Sequence, residues 1–371
     1  MPEKSSNRLK IGFGILFFVI FAGAGGIYLS GILNRKTIKI GVIIPMSGPA
    51  SHLVVLKEGL ELSVDAVNTE GGVNGRELEL IVRDSRSDPL EAVRLFNEIE
   101  LKHQPLFYIT ATSAVALSLA PLAEQYKVVI AGLAVSSPRF TQQNSWVFQY
   151  YLSSIDEAKS IAGILSTKKI SSIAVFFQDD EFGQSVNRAF DRIYRAPGRI
   201  ISSEPIQLQD QDIQHQIQAH LKMEAVYVAG FPSFVDTLVG QIKATGYGGL
   251  ILATSGIPLL EHNDGVYTAA PIIYNTNYVF HQKIKAEYEH RYRKEFFHQA
   301  ASGYDFITLI TNLLTENDLN SQTVKTALNS GFSHNGILGS FTVPPGTQDI
   351  FFPLFPARIK RGKLEFLNQI Y

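Results

Sequence analysis

Short β-rich apolar runs alternate with amphipathic helical patterns from Ile38 to Ala253, and this restricts the chain to α/β architectures. Ile38–Pro45 (IKIGVIIP) reads as a buried strand. Leu53, Leu56, Leu60, Val64 and Val67 then recur at steps of three and four, marking one helix face. Gly71-Gly72-Val73-Asn74-Gly75 is turn chemistry before a second strand at Leu78–Val82. A helix opened by Pro89, a strand at Leu106–Thr110, a helix at Ser113–Glu124 and a strand at Val128–Ala131 complete the first series. After a break near Tyr150–Ser154, strands are expected at Ser172–Phe177, Ile200–Pro205, Ala225–Ala229 and Leu250–Ala253. Helical patterns separate them, the clearest carrying Val235, Leu238, Val239 and Ile242. Two such series imply two lobes, each with a parallel sheet covered by helices on both faces. The last third differs. Ile284, Tyr288, Tyr292 and Phe296 step along a charged helix, helices follow at Ser302–Thr315 and Ser321–Asn329, and short strands are expected at Gly339–Val343, Leu354–Ile359 and Lys363–Leu367.

The amino-terminal part follows another rule. Ile11–Leu33 contains no charged residue, and Lys4, Arg8 and Lys10 precede it. At ~1.5 Å per residue the run reaches roughly 34 Å as a helix, enough for a hydrocarbon core of ~30 Å. Two readings fit: a signal peptide whose Ala22-Gly23-Ala24 is a small-x-small cleavage pattern, or a retained transmembrane anchor. The run continues through Ile27, Leu29, Ile32 and Leu33, which favours the anchor. Either one puts the remaining chain on the extracytoplasmic side. The chain has no cysteine, which excludes disulfides, thiolate catalysis and a lipidated-cysteine anchor. Its 33 basic and 34 acidic residues nearly cancel, giving no footprint for nucleic acid.

A search for catalytic chemistry finds none, and neither a metal nor a cofactor is expected. There is no phosphate-binding loop and no GxSxG elbow, and Gly12-Phe13-Gly14 lies inside the apolar run. His215 with His220 and His290 with His298 miss the i,i+4 spacing of two ligands on one helix face. Asp84 and Asp88, and Asp179, Asp180 and Glu181, stand where helix-capping acids belong.

Binding chemistry is better represented. Solutes of parallel sheets collect beyond the carboxyl ends of strands, where helix amino termini direct free N–H groups. Ser47-Gly48 follows the first strand, Thr112-Ser113 the third, and Ser136-Ser137 the fourth, just before Pro138 as a first helical residue. Each hydroxyl could simply cap a helix. Together, on one sheet edge, they suit an anion or carboxylate.

The run from Asp65 through Gly71-Gly72-Val73-Asn74-Gly75 to Asp84 resembles the signature of periplasmic leucine/isoleucine/valine-binding proteins. Pro45-Met46-Ser47-Gly48-Pro49, Asp88-Pro89, Ser136-Ser137-Pro138, Asp180-Glu181-Phe182-Gly183 and Tyr304-Asp305 fall in that family's order and spacing. The likeness runs from Ile38 to Leu367. It implies two Rossmann-like lobes joined by three crossings, here near Gln149–Ser153, Asn275–Tyr278 and Leu338–Ser340. Residues 1–36 would be the export segment, 37–150 with 278–338 one lobe, and 151–277 with 339–371 the other. It also implies a solute held between the lobes for an ABC-type permease or a sensor.

Carried over by position, Ser113 matches the serine that holds an amino acid's α-carboxylate, and Ser136 a threonine at its α-amino end. Phe182 and Phe231 stand where tyrosines are usual. Ser255 replaces a glutamate that would pair the α-ammonium, and no acid lies between Gly248 and Leu260. Ser47, Ser113, Ser136, Phe182, Phe231 and Ser255 are therefore the expected ligand residues. Unless another acid substitutes, a less cationic solute such as a carboxylate, an amide or an aromatic acid is expected. The rival expectation is a membrane-anchored interaction or regulatory protein of the same fold with a degenerate site.

Overall fold

The computed structural model describes residues 37–208, 213–271, 279–314, 318–351 and 353–367. The apolar run Ile11–Leu33 and the expected crossing at Asn275–Tyr278 lie outside them. Among the described residues no helix is long and apolar enough to cross a membrane.

In chain order the first series is β1 (Ile38–Ile44), α1 (Val54–Thr69), β2 (Leu78–Asp84), α2 (Pro89–His103), β3 (Phe107–Thr110), α3 (Ser113–Tyr126), β4 (Val129–Leu133) and β5 (Val147–Tyr151). The second is α4 (Ser154–Thr167), β6 (Ser172–Gln178), α5 (Glu181–Tyr194), β7 (Ile200–Ile206), α6 (Ile213–His220), β8 (Ala225–Ala229), α7 (Pro232–Ala244), β9 (Leu250–Ala253) and β10 (Tyr267–Ala270). Then come α8 (Val279–Tyr292), α9 (His298–Leu313), α10 (Ser321–Asn329), β11 (Phe332–Gly336), β12 (Gly339–Val343), β13 (Asp349–Phe351), β14 (Phe355–Lys360) and β15 (Lys363–Phe366).

The strands form two parallel-dominated sheets. The first has the order β13-β5-β4-β3-β1-β2, and every pairing in it is parallel. The second runs β15-β14-β10-β9-β8-β6-β7, parallel except where β14 meets β10 and β15. Such sheets bury both faces, which is why their central strands are continuous apolar runs. All five residues of β4 and of β8 are buried. One apolar core surrounds the first sheet, and the second carries a separate layer on each face.

Two close approaches explain sequence features. Gly59 on α1 and Gly303 on α9 let these helices pack backbone to backbone. A Cβ on Gly303 would stand 2.5 Å from the Leu56 carbonyl oxygen. In the turn before β2, Gly72 sits at φ +71° with the Arg76 carbonyl folded back toward it, a conformation that glycine adopts at no steric cost.

Three expectations need correction. No helix begins at Pro138; residues 138–142 are turns, with the Phe140 N–H on the Ser137 carbonyl. The stretch read as a break near Tyr150 is the end of β5. The third step between the sheets also falls later than Leu338–Ser340. β12 pairs with β11, and β13 extends the first sheet by pairing with β5. Thr141 Oγ1 donates to Asp349 Oδ1 at 2.6 Å and anchors β13 there. The chain passes to the second sheet between Phe351 and Phe355.

Candidate functional site

Strand order locates the site. In the first sheet β1 lies between β2 and β3, so the connections after β1 and β3 leave toward opposite faces and open a crevice at their carboxyl ends. In the second sheet β6 lies between β7 and β8 and makes the same kind of switch. The residues following these strands face one another across a single cleft. From the first sheet come His52, Leu53, Thr112, Ser113, Ala134 and Tyr151; from the second come Phe182, Gly230, Phe231, Pro232 and Ser255, with Gln299 from the start of α9. The cavity they enclose measures about 30 Å³, far below the roughly 300–1,000 Å³ of a pocket shaped to a small organic ligand. A larger groove of about 640 Å³ beside Trp146, Lys127 and Lys325 is a surface hollow that none of these strand ends reaches.

The first-sheet wall is made of hydroxyls that the protein leaves unused. Thr112, Ser113, Ser136, Ser137 and Ser154 are all buried, and none of their hydroxyl oxygens has a hydrogen-bond partner among the described residues. Helix capping does not explain them. Thr112 occupies the N-cap of α3 without a side-chain cap bond, and Ser136 and Ser137 precede no helix. Buried polar atoms are rarely left so. The backbone is strained at the same place: Thr112 has φ +67° and Ala134 φ +61°, joined by the Thr112 N–H to the Ala134 carbonyl at 3.2 Å. A β-branched residue in the left-handed region costs of order 1–3 kcal/mol, and such strain gathers at functional sites.

Aromatic rings form the opposite wall. Phe182 and Phe231 stack at 5.2 Å with planes 11° apart. His52, half-buried, tilts onto Phe231 at 5.7 Å from the first-sheet side. Asp180 fixes the Phe182 turn by accepting the Gly183 N–H at 2.8 Å. Gln178 Oε1 accepts the Phe231 N–H at 3.0 Å, and Thr254 Oγ1 accepts the Gly230 N–H at 3.2 Å. The loops after β6, β8 and β9 thus hold each other. Behind His52, the Tyr151 hydroxyl meets His298 Nε2 at 3.3 Å. Burial pushes His52 and His298 down to about 4, so both rings are neutral at pH 7. At the rim, Arg139 Nη1 lies 3.1 Å from both carboxylate oxygens of Glu181, tying the loop after β4 to the start of α5.

The expected residues divide. Ser113, Phe182, Phe231 and Ser255 line the cavity together. Ser136 lies behind them, its carbonyl accepting the Ser154 N–H at 3.4 Å. Ser47 stays apart: it is exposed and donates to Asp84 Oδ2 at 2.6 Å, because that carboxylate gathers the Met46 and Ser47 amides after β1 and the Arg86 amide after β2. The residues that sequence reasoning missed are His52, Tyr151, Gln299 and, above all, Glu157. In the first turn of α4, Glu157 is 2% exposed and accepts the Ser255 N–H at 2.5 Å. Burial raises it to about 7 against the pull of Ser255. Nothing local in the sequence marks it, since an acid in a first helical turn is the ordinary response to the helix dipole.

Comparison with known proteins agrees with the two-sheet fold. Residues 37–363 match the periplasmic binding protein family. The leucine-, isoleucine-, valine-, threonine- and alanine-binding protein of Pseudomonas aeruginosa is 22% identical over 69% of this chain and 68% of its own length. The chain spans about two thirds of the curated relatives it matches. A branched-chain amino acid transporter substrate-binding protein from Streptococcus pneumoniae, solved with isoleucine, superposes with a TM-score of 0.80 at 20% identity, covering 89% of this chain and 98% of that one. A solute-binding protein from Rhodopseudomonas palustris BisB5, solved with 3,4-dihydroxybenzoic acid, superposes with a TM-score of 0.79 at 20% identity, covering 88% and 95%.

Proposed function

The chain belongs to the periplasmic binding protein family, and from that premise we propose that it captures a small, amino-acid-like carboxylate in the cleft between its two sheets. The family works outside the cytoplasm and is one of binding proteins, not enzymes. The observation that carries the proposal is the set of buried, unpartnered hydroxyls: Thr112 and Ser113 at the amino terminus of α3, and Ser136 in the loop after β4. A helix amino terminus with spare hydroxyls favours an anion. Isoleucine and 3,4-dihydroxybenzoic acid, the ligands named for two structural neighbours, have a carboxylate in common. The Phe182 and Phe231 rings then face the solute's apolar part.

In this reading the lobes are 37–151 with 279–351, and 154–270 with 355–367. They open to admit the solute and close because it touches both walls only in the closed form. Ile11–Leu33 tethers the protein to the membrane, and the loaded form serves an ABC-type permease or a sensor. The narrowness of the cleft is the one observation favouring the rival, an anchored interaction or regulatory protein with a degenerate site. Thermal-shift measurement on the full-length protein against neutral amino acids, amides, aromatic acids and short carboxylates decides between them. A solute at one hundred times its Kd adds about 2.7 kcal/mol. No stabilisation across the panel supports the rival.

A further inference from the structure

The larger groove lies at the end of the first sheet opposite the cleft. Every pairing in that sheet is parallel, so its strands all start on one edge, and the groove sits on that edge. Lys127 stands two residues before β4, and Ser145 and Trp146 directly precede β5. The Ser321 hydroxyl, at the start of α10, donates to the Leu106 carbonyl just before β3 at 2.7 Å. With Glu124 and Lys325, these residues line about 640 Å³. Two ammonium groups lie over an aromatic floor: Lys325 Nζ is 4.2 Å and Lys127 Nζ 5.9 Å from the Trp146 ring centroid. Glu124 bridges Lys127. Lys325 instead donates to Ser145 Oγ at 2.7 Å and pairs with no carboxylate among the described residues. An ammonium carries three donors, so Lys325 has capacity left for an anion.

Covalent geometry indicates what covers this edge. Four residues, Asn34 to Thr37, separate the apolar run Ile11–Leu33 from β1. They reach at most ~14 Å, and the headgroup layer beyond the hydrocarbon core takes ~5–8 Å of that. The start of β1 therefore stays within about 10 Å of the headgroups of a membrane that holds the run. Trp146 is three strand spacings from β1 on the same edge, roughly 14 Å. Tryptophan favours the membrane interface, and each lysine gains near an anionic lipid surface.

We propose that this groove is a membrane-docking site, in which Lys325 and Lys127 hold the phosphate of an anionic phospholipid headgroup from the bilayer that carries Ile11–Leu33. This rests on the membrane tether of the reading above and goes beyond it. Docked in this way, the protein keeps its cleft, at the carboxyl ends of the same strands, on the side of the sheet away from the bilayer.

Trp146 is the single tryptophan of the chain, so its fluorescence reports this groove alone. The full-length protein is reconstituted into phosphatidylcholine vesicles that carry a nitroxide quencher on the lipid headgroup, and phosphatidylglycerol is titrated into them. Trp146 emission should be lost to the headgroup quencher, increasingly so as phosphatidylglycerol replaces phosphatidylcholine. Lys325→Gln should raise the phosphatidylglycerol needed for half of that loss about fivefold, the worth of one lysine at an anionic surface. Lys325→Arg, which keeps the charge, should behave as the wild type. Release of the wild type from the vesicles by an alkaline wash overturns the tether and this inference with it. Retention without quenching overturns the inference and leaves the tether standing. Quenching that ignores both phosphatidylglycerol and Lys325→Gln also overturns it, since the edge would then lie near the bilayer without holding a headgroup. Loss of the phosphatidylglycerol dependence when glycerol phosphate is added at a concentration equal to the lipid's assigns the groove to a soluble phosphate ester and overturns the lipid. Should the glutamine variant not fold, the phosphatidylglycerol dependence of the wild type decides, and its absence overturns the proposal.

Discussion

Replacing Glu157 by glutamine should stabilise the empty protein, increasingly so as the pH rises. The wild-type carboxyl is raised by burial from the ordinary 4.5 to about 7. Between those values the native protein binds more protons than the unfolded chain, so wild-type stability falls as pH rises from about 4.5 to about 7 and then levels off. The interval corresponds to about 3 kcal/mol, at about 1.4 kcal/mol per pH unit. Glutamine keeps a carbonyl oxygen for the Ser255 N–H but has no proton to lose. Asp180 and Asp305, both raised to about 6 by burial, are common to the two proteins and cancel. Urea unfolding followed by circular dichroism from pH 4 to 8 should therefore show the variant near wild type at the acid end and more stable by up to about 3 kcal/mol at the other. Parallel profiles would refute the claim that Glu157 is held ionised only at a cost. An acid kept against stability beside Ser255, which lines the cleft, is the pattern expected of a functional residue.

The remaining predictions concern packing, capping, the rim and the anion wall. Gly303→Ala places a methyl group against the Leu56 carbonyl and should destabilise by about 1–3 kcal/mol in urea melts. Asp88→Ala removes the side-chain cap of α2, which accepts the Leu90 N–H at 2.8 Å, and should cost about 1 kcal/mol by the same measurement. Arg139→Ala breaks an exposed bridge to Glu181, so calorimetry should show affinity changed by less than about fivefold and less dependent on salt. Ser113→Ala should lower affinity for amino acids and deaminated acids alike by about 5- to 10-fold in titrations, since it touches the shared carboxylate.

The two sheets were legible because parallel strands buried on both faces write themselves as continuous apolar runs, as in Ile38–Ile44 and Ala225–Ala229. The pieces not legible are short or paired at long range. Asp349–Phe351 has three residues and joins β5 from about two hundred positions away, so no local period announces it. Tyr267–Ala270 (YTAA) has neither alternation nor length. At the cleft, hydroxyls after strands were visible because position alone places them on the carboxyl edge of the sheet. Ser47 obeys that rule and still turns away, since Asp84 on the adjacent strand captures its loop. Glu157 could not be found this way, because its role depends on the fold bringing α4 against the loop after β9.

The central claim is that the cleft holds one carboxylate-bearing solute against Ser113. Calorimetric titration of the full-length protein with isoleucine, 4-methylpentanoate and 3,4-dihydroxybenzoic acid, repeated on Ser113→Ala, tests it most directly. The account predicts that at least one of the three binds with one-to-one stoichiometry and weakens in the variant. Binding that ignores the substitution, or no binding by any of the three, would contradict it.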